Sequence, residues 1–230
     1  MLIDKKYIII YMTQKIIIFG FPHTGTSILK SIIGHCENVE EIINESITIS
    51  KITKKDFIVC KHPHLVNDFF TDKYSDYIKI FIIRDPRFVF SSLNKRFNYE
   101  KLNNFHNLDK YISVIKQFSR YILTPRKDIL CLKYEDMFDD NFKVLRNMFD
   151  RIGLKYTDHI FDNSKYQNRI FKKTIIPDKQ PQNVDHIRFR TYQINQPFKN
   201  MNDDKKIDLT DEQLEKITHN EFINVQYPIL

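Results

Sequence analysis

Glycine, cysteine and long apolar runs are scarce in this chain of 230 residues. There are only four glycines, so each is expected to stand where the backbone requires it. The three cysteines, Cys36, Cys60 and Cys131, form no CxxC pair and are odd in number, which argues against a disulfide scaffold or a zinc site. No apolar stretch has the length of a membrane span. These features favour a soluble, cytoplasmic protein with buried thiols.

The charge of the chain is positive but scattered. A net charge of +7 indicates an anionic partner. Its basic residues form only short pairs, and no run of like charge is long enough for a nucleic-acid tail. We therefore expect a nucleotide cosubstrate and no nucleic acid.

Short apolar strands alternate with amphipathic helices along the first two thirds of the sequence. Strands are predicted at Ile16–Phe21, Phe57–Cys60, Ile78–Ile83 and Ile129–Leu132, and helices at Thr26–Ile33, Pro86–Arg96, Asp109–Leu123 and Asn141–Ile152. Because the strands are continuously apolar, they predict a parallel sheet covered on both faces. The expected fold is a three-layer α/β/α domain over residues 1–230 with a P-loop-like strand–turn–helix. Residues 155–208 are predicted to be irregular and to cap an acceptor site.

The segment GFPHTGTS, residues 20–27, lies at a predicted strand-to-helix turn. Backbone N–H groups and the helix dipole favour an anion at such a turn. The spacing copies the phosphate loop GxxxxGK[ST], but Thr26 stands where that motif has lysine. The missing lysine argues against hydrolysis of ATP or GTP. A strand-to-helix turn can also contain glycine without binding phosphate, and that alternative stays open.

A second candidate anion contact begins at the end of the third predicted strand. Arg84 opens the segment RDPRFVFSS, and Ser92 follows eight positions later. Arginine offers a two-pronged donor for phosphate, and a serine hydroxyl adds another donor. An arginine at a strand end is also compatible with a surface ion pair.

Together the two segments resemble the motifs of the sulfotransferase family. Lys61-His62-Pro63 is similar to its KxP segment, and Tyr134-Glu135-Asp136-Met137 to its YED[LM] segment, so the resemblance spans residues 16–154. It implies transfer of a sulfuryl group from 3'-phosphoadenylyl sulfate (PAPS) to a hydroxyl or amine acceptor (a carbohydrate, a peptide or a small molecule). It implies no metal.

The resemblance also assigns site residues. It implies that Lys61 and His23 support the departing phosphate, although Lys61 is also compatible with a solvated charge. The implied nucleotide contacts are His23, Thr24, Gly25, Thr26, Ser27, Arg84, Ser92 and Tyr134. Tyr134 is also compatible with a place in the core, which is the interpretation that we slightly favour. The sequence departs from the family at His23, where lysine or arginine is usual, and at Phe88, where an acidic residue is usual.

The acceptor needs a general base. Glu45 is our first choice, since several carbohydrate sulfotransferases place a catalytic glutamate just beyond the first helix. Its competitors are Glu40, Glu41, His62 and His64, of which His64 is retained as a catalytic candidate. Two other functions remain open: a P-loop-like nucleotide or small-molecule kinase, and a catalytically inert nucleotide-binding protein of the same fold.

Overall fold

A five-stranded parallel sheet forms the centre of the protein. The structure is a computed structural model that describes residues 13–42, 53–97, 107–122, 129–163, 195, 197–203 and 206–228. The strands are β1 (Gln14–Gly20), β2 (Val39–Glu41), β3 (Phe57–Lys61), β4 (Tyr77–Ile83) and β5 (Ile129–Lys133), in the order β2-β3-β1-β4-β5. Every pair in the sheet is parallel. The predicted parallel sheet is therefore confirmed.

Six α-helices are assigned within the described residues. They are α1 (Thr26–Gly34), α2 (Pro86–Arg96), α3 (Leu108–Ile122), α4 (Lys143–Ile152), α5 (Asp211–Thr218) and α6 (Glu221–Gln226). Asp85 caps α2 by accepting from the N–H of Arg87, with Pro86 in the first turn. Thr210 and Gln213 form the capping box of α5.

The helices cover both faces of the sheet, because alternate side chains of each buried strand point to opposite sides. On one face Ile16 and Ile18 of β1 pack with residues of α1 and α4. On the other face Ile17 and Phe19 pack with residues of α2, α3 and the two C-terminal helices. The three-layer α/β/α fold predicted from the sequence is thus confirmed.

Two predicted helix ends are wrong. Helix α4 begins at Lys143 instead of Asn141, because residues 140–142 all adopt positive φ angles. Helix α1 ends one residue later than predicted, at Gly34, and its C-cap is His35, with a φ of −91°. A Cβ on Gly34 would lie 2.8 Å from the Cβ of Glu41, so close packing requires this glycine.

Candidate anion-binding site

The turn between β1 and α1 is a tight loop held by its own hydrogen bonds. Thr24 is fully buried, and both its N–H and its hydroxyl donate to the carbonyl of Phe21, at 3.2 and 2.7 Å. His23 and Gly25 adopt left-handed φ angles of 70° and 98°. Both hydrogen-bond donors of Thr24 are therefore used inside the turn, and its contact with a nucleotide remains a prediction.

Gly25 is required at the start of α1 for two reasons. Its positive φ disfavours any residue with a side chain. A Cβ there would also lie 2.4 Å from Cδ2 of Tyr134, whose ring packs directly against the turn. As the N-cap, Gly25 provides no side-chain hydrogen bond to the helix. The first N–H groups of α1, including those of Thr26 and Ser27, therefore have no partner within the helix, and they can bind an anion.

Arg84 brings the second motif against this turn. It directly follows β4, which is the neighbour of β1, and it is 4% exposed. Its Nη1 donates to the carbonyl of His23 at 3.2 Å, and its guanidinium carbon lies 4.2 Å from the centre of the Tyr134 ring. Nε donates to Oδ1 of Asn202 at 2.9 Å, and Nη2 donates to the same oxygen. The predicted proximity of Arg84 and the loop is thus present in the structure.

Tyr111 of α3 fixes the backbone of Arg84. Its hydroxyl accepts from the N–H of Arg84 at 2.9 Å and donates to the carbonyl of the same residue. The Tyr111 ring lies 4.8 Å from that of Phe21, between ring centroids, so it contacts both motifs. Burial raises the pKa of this phenol well above its usual value, and the hydroxyl stays protonated. The sequence indicated only that Tyr111 lies on the apolar face of a helix.

Lys61 stands at the end of β3, on the other side of β1. Its backbone pairs with Ile18, and it is 4% exposed. It alternates with Cys60, so it lies on the sheet face covered by α1. The order β3-β1-β4 therefore flanks the loop with Lys61 on one side and Arg84 on the other. A solvated charge, the alternative for Lys61, does not agree with this burial.

His23 has a basic neighbour that the sequence did not reveal. Nη1 of Arg96, the last residue of α2, lies 3.4 Å from Nε2 of His23. A guanidinium only donates hydrogen bonds, and the role of Nε2 in this contact depends on the tautomer of the imidazole. Arg96 thus places a permanent positive charge beside position 23. No sequence motif marks this arginine, since its proximity to His23 depends on the path of α2.

Asp85 of the second motif and Glu135 of the YED segment both accept hydrogen bonds from other residues of the protein. Asp85 binds Arg87 through both carboxylate oxygens. Glu135 accepts from the N–H of Asp85 at 3.0 Å and from Nδ2 of Asn202 at 2.9 Å through its Oε1. Its Oε2 is buried and has no hydrogen-bond partner in the described part of the chain. Burial raises the pKa of Glu135, while these hydrogen bonds and the charge of Arg84 act in the opposite direction.

Ser92, the serine predicted to contact the nucleotide, and its neighbour Ser91 lie in different environments. Ser92 is half-buried on α2. The neighbouring Ser91 is buried, donates to the carbonyl of Arg87 at 2.7 Å and accepts from the N–H of Asp208 at 2.8 Å. Tyr134, predicted as a nucleotide contact, is 1% exposed and contacts the loop and Arg84. Any contact of Ser92 or Tyr134 with a nucleotide remains a prediction.

The general base is not resolved by the described residues. Glu45 lies outside them, and so does the side chain of His64. Glu41 faces the buried Lys30, with 3.3 Å between Oε1 and Nζ. Glu40 is half-buried on the edge strand β2, and His62 directly follows β3. Each of these side chains therefore remains a candidate base.

Two structural features are absent from the described residues. Among them, no three acidic, histidine or cysteine side chains are grouped so as to hold a metal ion. None of the helices in this part of the chain combines the length and the apolar character needed to cross a lipid bilayer.

Several solved structures are similar to this chain. A sulfotransferase domain from the Synechococcus olefin synthase has a TM-score of 0.49 and 13% identity, covering 80% of this chain and 94% of that one. A mouse sulfotransferase in complex with PAP has a TM-score of 0.48 and 15% identity, covering 92% and 87%. A sulfotransferase domain from the curacin biosynthetic pathway has a TM-score of 0.49 and 11% identity, covering 94% and 97%.

With TM-scores below 0.5 and identities of 15% or less, this likeness assigns neither a ligand nor an acceptor to the chain. No protein-family model and no curated protein matches the chain.

Proposed function

We propose that the chain is a sulfotransferase that uses PAPS and transfers its sulfuryl group to a hydroxyl or amine acceptor. The observation that carries the proposal is that the buried guanidinium of Arg84 donates to no carboxylate among the described residues. Buried charges are normally paired with an opposite charge. Arg87 follows this rule through Asp85, whereas all hydrogen-bond acceptors of the Arg84 guanidinium among the described residues are neutral oxygens. A buried cation of this kind beside an anion-binding turn supports binding of a phosphate.

The loop and Arg84 suit a ligand with two separate anionic groups. We assign the 5'-phosphosulfate to the turn, including the amides of Thr26 and Ser27, and the 3'-phosphate to Arg84 and Ser92. The tight turn and the N-terminus of α1 support the first assignment. The guanidinium supports the second, because arginine binds phosphate through two parallel hydrogen bonds.

The proposed reaction is an in-line displacement at sulfur. The acceptor oxygen or nitrogen forms a bond to sulfur, while the bond between sulfur and the bridging oxygen breaks. That oxygen leaves with the electron pair as part of the 5'-phosphate of adenosine 3',5'-bisphosphate. The acceptor proton passes to the general base, for which Glu45 remains our first choice. Lys61 and Arg96 support the negative charge that develops on the leaving phosphate.

The kinase alternative is disfavoured by Thr26. A phosphate-loop kinase needs lysine at this position to reach the β- and γ-phosphates. Thr26 is 4% exposed in the first turn of α1, and it provides no positive charge. Only an assay of sulfuryl transfer distinguishes an active sulfotransferase from a catalytically inert nucleotide-binding protein of the same fold.

Calorimetry tests the donor assignment. We expect adenosine 3',5'-bisphosphate to bind without added metal and more tightly than ATP with Mg²⁺. Tighter binding of ATP, or binding that requires Mg²⁺, would contradict the proposal. Radiolabelled PAPS with a panel of sugars, peptides and phenols then tests transfer. Binding of the bisphosphate with no transfer to any acceptor, and no sulfate release, would favour the inert protein.

A further inference from the structure

The side chain of Asn202 connects Arg84 to Glu135. Its Oδ1 accepts from Nε of Arg84 at 2.9 Å and from Nη2, and its Nδ2 donates to Oε1 of Glu135 at 2.9 Å. This residue belongs to segment 197–203, which is also bound to Tyr134. The Tyr134 hydroxyl accepts from the N–H of Met201 at 3.0 Å.

The contact of Asn202 with Arg84 has the form of an anion contact. Two adjacent N–H groups on one edge of the guanidinium converge on a single oxygen. Arginine presents that same edge to a carboxylate or a phosphate. A phosphate oxygen and Oδ1 of Asn202 cannot occupy this position at the same time.

Resting on the proposed function, we infer that Asn202 competes with the 3'-phosphate of the nucleotide for Arg84 and so sets the nucleotide specificity of the site. Binding of a 3'-phosphate exchanges a neutral amide oxygen for a charged one, which is the stronger acceptor. The exchange also removes the two hydrogen bonds from Arg84 to Oδ1 of Asn202. The binding free energy that the 3'-phosphate contributes is therefore reduced. A nucleotide that lacks a 3'-phosphate leaves Asn202 in place and is not affected.

Asn202→Ala tests the direction of this effect. We expect its affinity for adenosine 3',5'-bisphosphate to rise about tenfold, which corresponds to about 1.4 kcal/mol. Its affinity for adenosine 5'-phosphate should not change. If Asn202 instead holds Arg84 ready for the nucleotide, the same variant binds the bisphosphate more weakly. Weaker or unchanged binding of the bisphosphate would therefore overturn the inference.

Asn202→Asp provides a second test with a side chain of the same shape. A carboxylate next to Arg84 competes more strongly than an amide, so binding of the bisphosphate should weaken at least tenfold at neutral pH, with the affinity for adenosine 5'-phosphate unaffected. The second carboxylate oxygen replaces Nδ2 beside Glu135 and loses that hydrogen bond, so the variant is used only where its thermal unfolding matches that of wild type. Unchanged binding of the bisphosphate would contradict the inference. The matched control is Asn224→Ala, which removes an amide that donates to the carbonyl of Thr218, and it should bind as wild type does.

The same titrations separate this inference from the proposed function. Wild type and all variants are measured by calorimetry against both nucleotides, after their thermal unfolding has been compared. If none of the folded proteins binds either nucleotide, the proposed function fails and the inference fails with it. If wild type binds the bisphosphate and Asn202→Ala does not bind it more tightly, only the inference is wrong.

Discussion

Removal of the Tyr111 hydroxyl tests directly how the backbone of Arg84 is positioned in the candidate anion site. Tyr111→Phe deletes this oxygen and keeps the ring that packs against Phe21 and Phe90. In the wild type the hydroxyl bonds both the N–H and the carbonyl of Arg84. The variant leaves these two backbone groups without that partner in a buried environment.

The expected loss follows from the two groups that are left. An unsatisfied buried donor or acceptor costs roughly 1–3 kcal/mol, so the free energy of unfolding should fall by at least about 2 kcal/mol. Tyr227→Phe is the matched control. Its hydroxyl is buried and has no hydrogen-bond partner in the described part of the chain, so deleting it removes no bond seen there. We expect this control to be neutral or slightly stabilising.

Urea unfolding followed by far-UV circular dichroism measures both variants. A second measurement distinguishes positioning of Arg84 from a general loss of stability. Well below the unfolding midpoint, Tyr111→Phe should lose part of its preference for adenosine 3',5'-bisphosphate over adenosine 5'-phosphate, and Tyr227→Phe should keep it. Equal stability losses in the two variants, or no loss in Tyr111→Phe, would refute the reasoning.

Three further predictions concern the loop and its cations. Arg84→Ala should lose about 1.5–3 kcal/mol of binding free energy for adenosine 3',5'-bisphosphate by calorimetry, and with it the preference over adenosine 5'-phosphate. The control Arg146→Ala removes a solvent-facing ion pair and should change neither the affinity for the bisphosphate nor this preference. Equal losses in the two variants would contradict the assignment of the 3'-phosphate to Arg84. Gly25→Ala should lower the free energy of unfolding by ~1 kcal/mol or more, since its φ and the adjacent ring both oppose a Cβ; wild-type stability in urea would argue against this loop geometry. Arg96→Gln should slow turnover, and adding His23→Lys should restore it by returning a cation; a double variant no faster than Arg96→Gln would exclude this role.

The layers of the fold were predictable because each buried strand is a short, continuous apolar run. Ile16–Phe19 and Ile80–Ile83 are fully buried, and such runs predict a sheet that is covered on both faces. Strand β2 was not predicted, because two of its three residues are glutamates. Its place at the edge of the sheet depends on pairing with β3, which no local pattern shows.

The site was predictable as far as its residues belong to motifs. The turn, Lys61 and Arg84 lie on three neighbouring strands, so the end of a parallel sheet brings them together. Arg96, Tyr111 and Asn202 contact these residues from elements that are distant in sequence. Their contacts depend on the direction in which a helix or the late segment 197–203 leaves the core. A single sequence contains no local pattern that shows this direction, so these contacts could not be predicted.

Arg84 links formation of the site to folding of the late segment. Its guanidinium joins the carbonyl of His23 to the side chain of Asn202, and these residues are separated by most of the chain. The Tyr134 ring packs under the same guanidinium, and its hydroxyl accepts from the N–H of Met201. A ligand that takes the edge formed by Nε and Nη2 of Arg84 must therefore displace Oδ1 of Asn202, because the two cannot occupy the same place. Under the proposed function, nucleotide affinity would include the free energy of displacing Asn202 from Arg84, and a substitution in segment 197–203 would alter affinity without touching the nucleotide.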